Sequence, residues 1–351
     1  MSLFEQSAAL EPQKQSLAGG GEGRSASSGR QIPRGRFLAV GIGPVARKEL
    51  ADHLGSLRYA ILLVLIVVAS IAAMYAASGS IKEYASAEYD FPHAFLYLFT
   101  VSGENLPSMI SFVIFLAPLL GIALGFDAVN SERSQGTLSR LMSQPIHRDA
   151  VLHGKFLAGV TVIALALAAL LAVAVGIGIV LLGKAPSAEE IGRLIAFLVV
   201  TVIYVGFWLA LAQLFSVVFK QAATSALASI AVWLFFAVFA SLIVGLVTDA
   251  IAPAGKDATY AEVYRHEKLY NRLDRISPVT LYDEASTALL NPSVRSLGVL
   301  VLSQVDRALR SPLSFGQSIL LVWPQVIALL GCVLVFFTLS YILFMKEEIR
   351  A

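Results

Sequence analysis

The stretch FLAGVTVIALALAALLAVAVGIGIVLLG, residues Phe156–Gly183, decides the fold class because it contains no Asp, Glu, Lys or Arg. A helix needs roughly 20 apolar residues to cross the hydrocarbon core of a membrane. The run is also far too long for a buried strand. It therefore predicts a membrane-spanning helix.

Similar uncharged runs recur along the chain, and their number sets the architecture. Closed β-barrels would show short alternating segments instead. The sequence therefore predicts an all-α polytopic membrane protein with six transmembrane helices. The other five runs are Tyr59–Ala77, Pro107–Phe126, Leu194–Phe219, Ala222–Val247 and roughly Ser318–Met345.

The composition of the whole chain agrees with this class. Of 351 residues, 57% are hydrophobic and only 14% are charged, and the mean hydropathy is +0.75. Soluble proteins average about 25% charged residues. The composition excludes an ordinary soluble enzyme, the single Cys332 excludes a disulfide scaffold, and a net charge of +2 argues against a nucleic-acid partner.

The distribution of Lys and Arg predicts the orientation. Eight lie in the first 58 residues and four in the connection 127–155, whereas 78–106 holds only Lys82. Basic residues concentrate on the cytoplasmic side of short loops. We expect a multi-pass protein of the cell (inner, cytoplasmic) membrane with both termini in the cytoplasm.

The polar parts divide the chain into regions. We expect a disordered cytoplasmic tail at 1–36, without a secretory signal, and an amphipathic interfacial helix at 37–58, whose start is indicated by Pro44. Helices 1–5 would occupy 59–247, a small helical extracytoplasmic domain 248–317, and helix 6 with the C-terminus 318–351. Within 248–317, Ser277-Pro278 is typical of a helix start.

The connection 127–155, DAVNSERSQGTLSRLMSQPIHRDAVLHGK, is the most informative polar segment. A charged pair, Glu132-Arg133, is followed by Gly136-Thr137-Leu138. Leu141–Pro145 then gives a Ser-x-Pro step, and Gly154-Lys155 precedes the third run.

In this order of residues the chain resembles the ABC-2 type permeases, the membrane subunits of one class of ABC exporter. Ile276-Ser277-Pro278, with Tyr282, Glu284-Ala285 and Leu289-Leu290, resembles the subfamily with an outer domain between spans 5 and 6, which includes the permease of the nitrous-oxide reductase maturation system. The resemblance covers about residues 40–350.

The resemblance implies a type V ABC exporter fold, a dimer of six-helix subunits and two separate cytoplasmic ATPase subunits. The connection between spans 2 and 3 would contain a coupling helix, roughly Pro145–Val151, that docks into the ATPase. The residues that the resemblance assigns to ATPase coupling are Glu132, Arg133, Gly136, Thr137, Pro145, Ile146, His147, Arg148 and Asp149.

Other signals favour no catalytic or metal site in this chain. Residues Gly178–Lys184 nearly match a Walker A loop, but Ala185 stands where a magnesium-binding Ser or Thr is needed. ATP and magnesium would thus bind to the partner ATPase, and we expect no cofactor here. Dispersed histidines disfavour a metal site. Gly176 and Gly178 suggest close helix packing in the third run.

Two alternatives to an exporter remain open. The first is an ATPase-coupled scaffold that acts on an extracytoplasmic partner protein without classical transport. The second, an intramembrane enzyme, needs ionisable residues at membrane depth, and the six runs carry none. Expected partners are therefore the ATPase subunits, a second copy of the chain, membrane lipids and, in the scaffold case, an extracytoplasmic protein.

Overall fold

The computed structural model describes residues 34–85, 93–103, 106–136, 148–255, 258–294 and 313–346. Throughout these ranges the regular structure is helical, with no strand. The helices are α1 Arg34–Leu54, α2 Leu57–Ala85, α3 Ala94–Thr100, α4 Met109–Gly125, α5 Asn130–Ser134, α6 Arg148–Leu182, α7 Ala188–Val218, α8 Ala222–Leu234, α9 Ala240–Ile251, α10 Tyr260–Asp274, α11 Pro278–Leu290 and α12 Phe315–Lys346.

Six helical stretches are long and apolar enough to cross a membrane, which confirms the predicted fold class. They are Leu57–Gly79, Met109–Ser134, Asp149–Leu182, Ala188–Val218, Ala222–Ile251 and Phe315–Lys346. The fifth stretch is α8 and α9, joined by a π-helical turn at Phe235–Phe239 that the apolar pattern did not predict.

Helix α7 forms the centre of the bundle and packs against α4, α6, α11 and α12. Two glycines of α4 allow it to approach the α7 backbone closely. A Cβ added at Gly121 would lie 2.5 Å from the Val205 carbonyl oxygen, and one at Gly125 would lie 2.8 Å from that of Leu209. In the third span, a Cβ added at Gly178 would contact Phe95, whereas one added at Gly176 would have no atom within 4 Å. The prediction of close packing at Gly176 is therefore wrong.

Helix α1 begins earlier than the sequence indicated. It starts at Arg34 and contains Pro44, so the expectation of a helix that starts at this proline is wrong. A proline inside a helix costs one backbone hydrogen bond. The burial of Val45 and Glu49, on the helix face just after the proline, compensates for this lost hydrogen bond.

Helices α10 and α11 are joined by a turn at Arg275–Ser277, and this segment is called the α10–α11 hairpin below, although α10 packs on α9 and α11 packs on α7 and α12. Near the open end of the hairpin, the fully buried Arg193 of α7 donates to the Leu289 carbonyl oxygen and to Ser318 Oγ, both at 3.0 Å. Arg193 thereby ties the end of α11 to the first turns of α7 and α12.

The turn of the hairpin lies well along the spanning helices. Tyr282 of α11 bonds Thr201 Oγ1 at 2.8 Å and stacks on Tyr204 with ring centroids 4.1 Å apart. Thr201 is 13 residues into α7, or about 20 Å from its start at 1.5 Å per residue. Gln325, which donates to Glu284 at 2.9 Å, is 10 residues or about 15 Å into α12.

The bundle thus has two ends. The α1 end contains α1, α5 and the start of α6, together with the last turns of α7 and α12. The hairpin end contains α3, the start of α7, the open end of the α10–α11 hairpin and the start of α12.

Candidate coupling site

A buried lysine joins three helices at the α1 end. Lys155 Nζ lies 2.8 Å from Glu49 Oε1 of α1 and 2.9 Å from Glu132 Oε1 of α5, while Lys155 itself belongs to α6. Only 5% of its side chain is exposed. These three residues, called the Lys155 cluster below, connect the interfacial helix to both ends of the 127–155 connection.

The residue before this lysine explains how α1 comes so close. A Cβ added at Gly154 would lie 2.8 Å from Val45 Cγ1 and 3.3 Å from the Ala46 backbone nitrogen. Any larger residue would push α1 outward and lengthen the Lys155–Glu49 pair. The dipeptide Gly154-Lys155 therefore provides both the space and the charge that dock α1.

The neighbouring lysines favour the ionised form of Glu49. Burial alone would raise the pKa of Glu49, but the nearby Lys155 ammonium lowers it, and the net direction is downward. Lys48 adds a second, weaker contact to Glu49 at 3.3 Å. Removing one partner of a buried ion pair strands the other charge and costs about 3–5 kcal/mol.

Hydrogen bonds extend the cluster to α7. Ser216 Oγ accepts from the backbone N–H groups of Val129 and Asn130 at 2.9 and 3.2 Å, at the start of α5. Gln213 Nε2 donates to the Leu152 carbonyl oxygen at 3.2 Å. Helix α7 is thus tied to α5 and to the first turns of α6.

Ring contacts extend it to α12. The His153 imidazole meets Phe337 and Tyr341 edge to face, with ring centroids 5.0 and 5.7 Å apart. The start of α6 is therefore linked to α1, α5, α7 and α12. The arrangement suits mechanical coupling rather than bond chemistry.

A separate exposed pair joins α2 to the end of the second span. Arg58 Nη1 lies 2.8 Å from Asp127 Oδ2, and the guanidinium lies 5.2 Å from the centre of the Phe126 ring. Because 63% of the Arg58 side chain is exposed, solvent screens the pair.

The predicted coupling residues divide into three groups. Glu132 lies in the Lys155 cluster, Arg133 lies beside it in sequence on α5, and Gly136 follows α5 with φ +66°, a conformation that favours glycine. Among the described residues, Asp149 accepts from the Ala150 N–H at 2.9 Å. Arg148 begins α6, and Thr137, Pro145, Ile146 and His147 lie outside the described residues.

Sequence reasoning missed the partners of this cluster. Glu49 was counted only as part of an amphipathic helix, and Lys155 only as part of a dipeptide motif. The spacing of Val45 and Glu49, one helical turn apart, could have indicated one buried face.

Two kinds of comparison identify the family of the chain. The model of the family described as "ABC-2 family transporter protein" matches residues 44–349. A probable ABC transporter permease protein NosY of Pseudomonas aeruginosa is 27% identical over 195 residues, which cover 55% of this chain and 65% of the relative. A protein of the same name from Stutzerimonas stutzeri is 30% identical over 126 residues, covering 35% of this chain and 40% of the relative.

The chain thus spans less than two thirds of the length of each of these relatives. The family match, by contrast, extends over most of the chain and includes all six spanning helices. The chain is therefore a multi-pass membrane protein that belongs to the ABC-2 family of transporter permeases.

Proposed function

We propose that this permease works as a homodimer in an ATP-driven exporter and that separate ATPase subunits dock at its α1 end. The observation that carries the proposal is the Lys155 cluster, which joins α1 to both ends of the 127–155 connection. An ATPase that pushes on this connection would move α1, α5, α7 and α12 together with the start of α6.

The proposal also assigns the orientation. The α1 end carries Arg47, Lys48, Arg58, Arg133 and Arg148, and it would face the cytoplasm under the positive-inside rule. The α10–α11 hairpin would then open toward the opposite side of the membrane.

ATP and magnesium would bind to the partner subunit. The family assignment supports this division, because a permease subunit is not itself the ATPase. In this chain Gly183 has φ +71° in the turn after α6, and Lys184 follows it directly at the hairpin end. These residues are therefore remote from the proposed docking end.

Co-purification with a co-expressed ABC ATPase tests the proposal. Arg148→Glu reverses a charge at the start of α6, and we expect it to lower the recovered ATPase at least fivefold. Lys220→Glu makes the same charge change at the α1 end but outside the connection, and should leave recovery unchanged. Equal recovery with both variants, or ATP hydrolysis by the purified chain alone, would contradict the proposal.

A further inference from the structure

Helix α10 presents a stripe of basic side chains to its surroundings. Arg265, Lys268 and Arg272 are all exposed. Their spacing of three and then four residues places them on one face of the helix, within about 60° around its axis. The acidic Glu267 lies about 100° away from Lys268 and belongs to another face. These three cations are called the basic stripe below.

Two cations of the basic stripe lack an anionic partner. In the part of the chain that the structure describes, no carboxylate forms an ion pair with Lys268 or Arg272. The Lys268 ammonium lies over the Tyr264 ring, 5.5 Å from its centre. Glu262 is engaged at the start of the helix, where its Oε2 accepts from the Thr259 N–H and hydroxyl at 2.7 and 2.8 Å. Like charges four residues apart destabilise a helix, so the stripe favours an anion.

Contacts with the fifth span set the depth of α10. They join His266 to the Ala252 carbonyl oxygen at 2.9 Å and Asp274 to Ser241 at 3.0 Å, and they place the Tyr270 ring 4.0 Å from a Cβ added at Gly245. Helix α10 therefore runs antiparallel to the end of this span. Arg272 lies at a level between Gly245 and Ser241, which is about 9–15 Å before the last residue of the span, Ile251.

This level is close to the edge of the hydrocarbon core. The fifth span, Ala222–Ile251, has 30 residues. It is therefore about 45 Å long, whereas the core is about 30 Å thick. A centred span extends about 7 Å beyond the core at each end. Arg272 thus lies just inside the core, where its long side chain reaches the headgroups, and Lys268 lies one turn nearer to the water.

Two tyrosines continue this side of α10 toward its start. Tyr264 and Tyr260 precede Lys268 by four and eight residues, and they are 41% and 81% exposed. Tyrosine is enriched where a membrane meets water, because its ring is apolar and its hydroxyl is polar. The tyrosines and the basic stripe therefore fit the same environment, the headgroup layer.

We propose that the basic stripe of α10 binds the phosphate of an anionic phospholipid headgroup. Charge complementarity selects this occupant, because a zwitterionic lipid brings its own ammonium group next to the phosphate. An acidic soluble protein would have to reach Arg272 inside the edge of the core. The inference goes beyond the proposed coupling function, since binding needs neither ATP nor the ATPase and applies to either orientation of the chain.

Photolabelling of the purified full chain in phosphatidylcholine nanodiscs tests the proposal. The probe is a phosphatidylglycerol with a diazirine close to its glycerol, and the matching phosphatidylcholine probe has the same diazirine. Labelled peptides are mapped after digestion with pepsin, whose cleavage does not depend on Lys or Arg. We expect the phosphatidylglycerol probe to label peptides of α9 and α10 at least fivefold more, and unlabelled phosphatidylglycerol to compete.

Variants assign the labelling to the basic stripe. The double variant Lys268→Gln, Arg272→Gln should reduce labelling by phosphatidylglycerol to the level of phosphatidylcholine, since each cation near an anionic lipid changes binding about fivefold. The double variant Lys268→Arg, Arg272→Lys keeps both charges and should keep the labelling. Lys184→Gln removes an exposed cation from the same end of the bundle but outside α10, and should change nothing. Melting temperatures show that each variant is folded.

Four results would overturn the proposal. Equal labelling by the two probes would mean that the surface takes any lipid, and labelling that survives removal of both charges would place the probe elsewhere. Competition by inorganic phosphate as effective as that by phosphatidylglycerol would mean that a free anion is the ligand. Cross-linking of Lys268 to a second copy of the chain, undiminished by phosphatidylglycerol, would mean that this face is a dimer interface.

Discussion

Two of the charged sites in the described part of this permease are built in different ways. At the α1 end, one lysine lies between two carboxylates and pairs with both. At the turn of the α10–α11 hairpin, the Arg275 guanidinium is engaged by Glu284, and Asp274 is held by two hydroxyls. The first cluster joins three helices through ion pairs, whereas Asp274 at the second accepts hydrogen bonds from two neutral hydroxyls.

The contrast separates an ion-paired joint from a carboxylate that is held by hydroxyl groups. A closed ion pair gives position, because each charge fixes the other and removing either one is costly. A carboxylate satisfied only by neutral donors keeps its attraction for a cation. Substitutions in the two clusters should therefore have very different effects on folding.

Lys155→Met should have the largest effect on stability. It leaves Glu49 and Glu132 buried without their cation, and we expect a loss of about 3–5 kcal/mol. Thermal unfolding of the purified chain in detergent measures it. Lys184→Met, at an exposed position of the hairpin end, should be close to neutral.

Gly154→Ala should destabilise the same joint through packing. The added Cβ would meet Val45 at 2.8 Å, and we expect a cost of about 1–3 kcal/mol. Gly176→Ala is the matched control in the same helix, because no atom lies within 4 Å of its added Cβ. Removing a helical glycine should make that control neutral or slightly more stable. Equal loss in both would show that α1 does not pack on Gly154.

Acid should weaken the α1 joint through Glu49. The folded pKa of Glu49 lies below its ordinary value of 4.5, so its contribution is present above that value. It is lost as the pH falls through the folded pKa, when the carboxyl becomes protonated. Melting temperatures between pH 6 and pH 3 should fall more steeply for the native chain than for Glu49→Gln, and parallel curves would contradict the assignment.

Asp274→Asn should have the smallest effect on folding. The substitution removes an unmatched buried charge and keeps one oxygen that accepts a hydroxyl, so the expected change is within about 1 kcal/mol. Thermal unfolding of the purified chain measures it. A loss as large as that of Lys155→Met would mean that Asp274 is part of a closed structural network.

The same contrast explains what the sequence could and could not predict. The six spans follow directly from runs without charge, and Glu132 stood out because it lies in a short polar connection. Asp274 and Glu284 lie outside every apolar run. They reach the middle of the bundle only because α10 and α11 fold back along α7, α9 and α12, and periodicity along one segment contains no information on that packing.

Two local features, the helix through Pro44 and the different packing of two glycines, could not be predicted from the sequence either. Pro44 usually indicates a helix start, but here the burial of Val45 and Glu49 against α6 maintains a helix through it. Gly176 and Gly121 look alike in sequence. Only Gly121 faces another backbone, and the side of the helix that meets α7 is decided by the whole bundle.

Lys155 joins α1, α5 and α6 through charge. Replacing all three charged residues of the Lys155 cluster with neutral ones tests this joint most directly. The melting temperature of the triple variant Glu49→Gln, Glu132→Gln, Lys155→Met is compared with that of Lys155→Met alone. The triple variant should recover most of the loss, because no stranded charge remains. A triple variant that melts at or below the temperature of the single variant would contradict the claim.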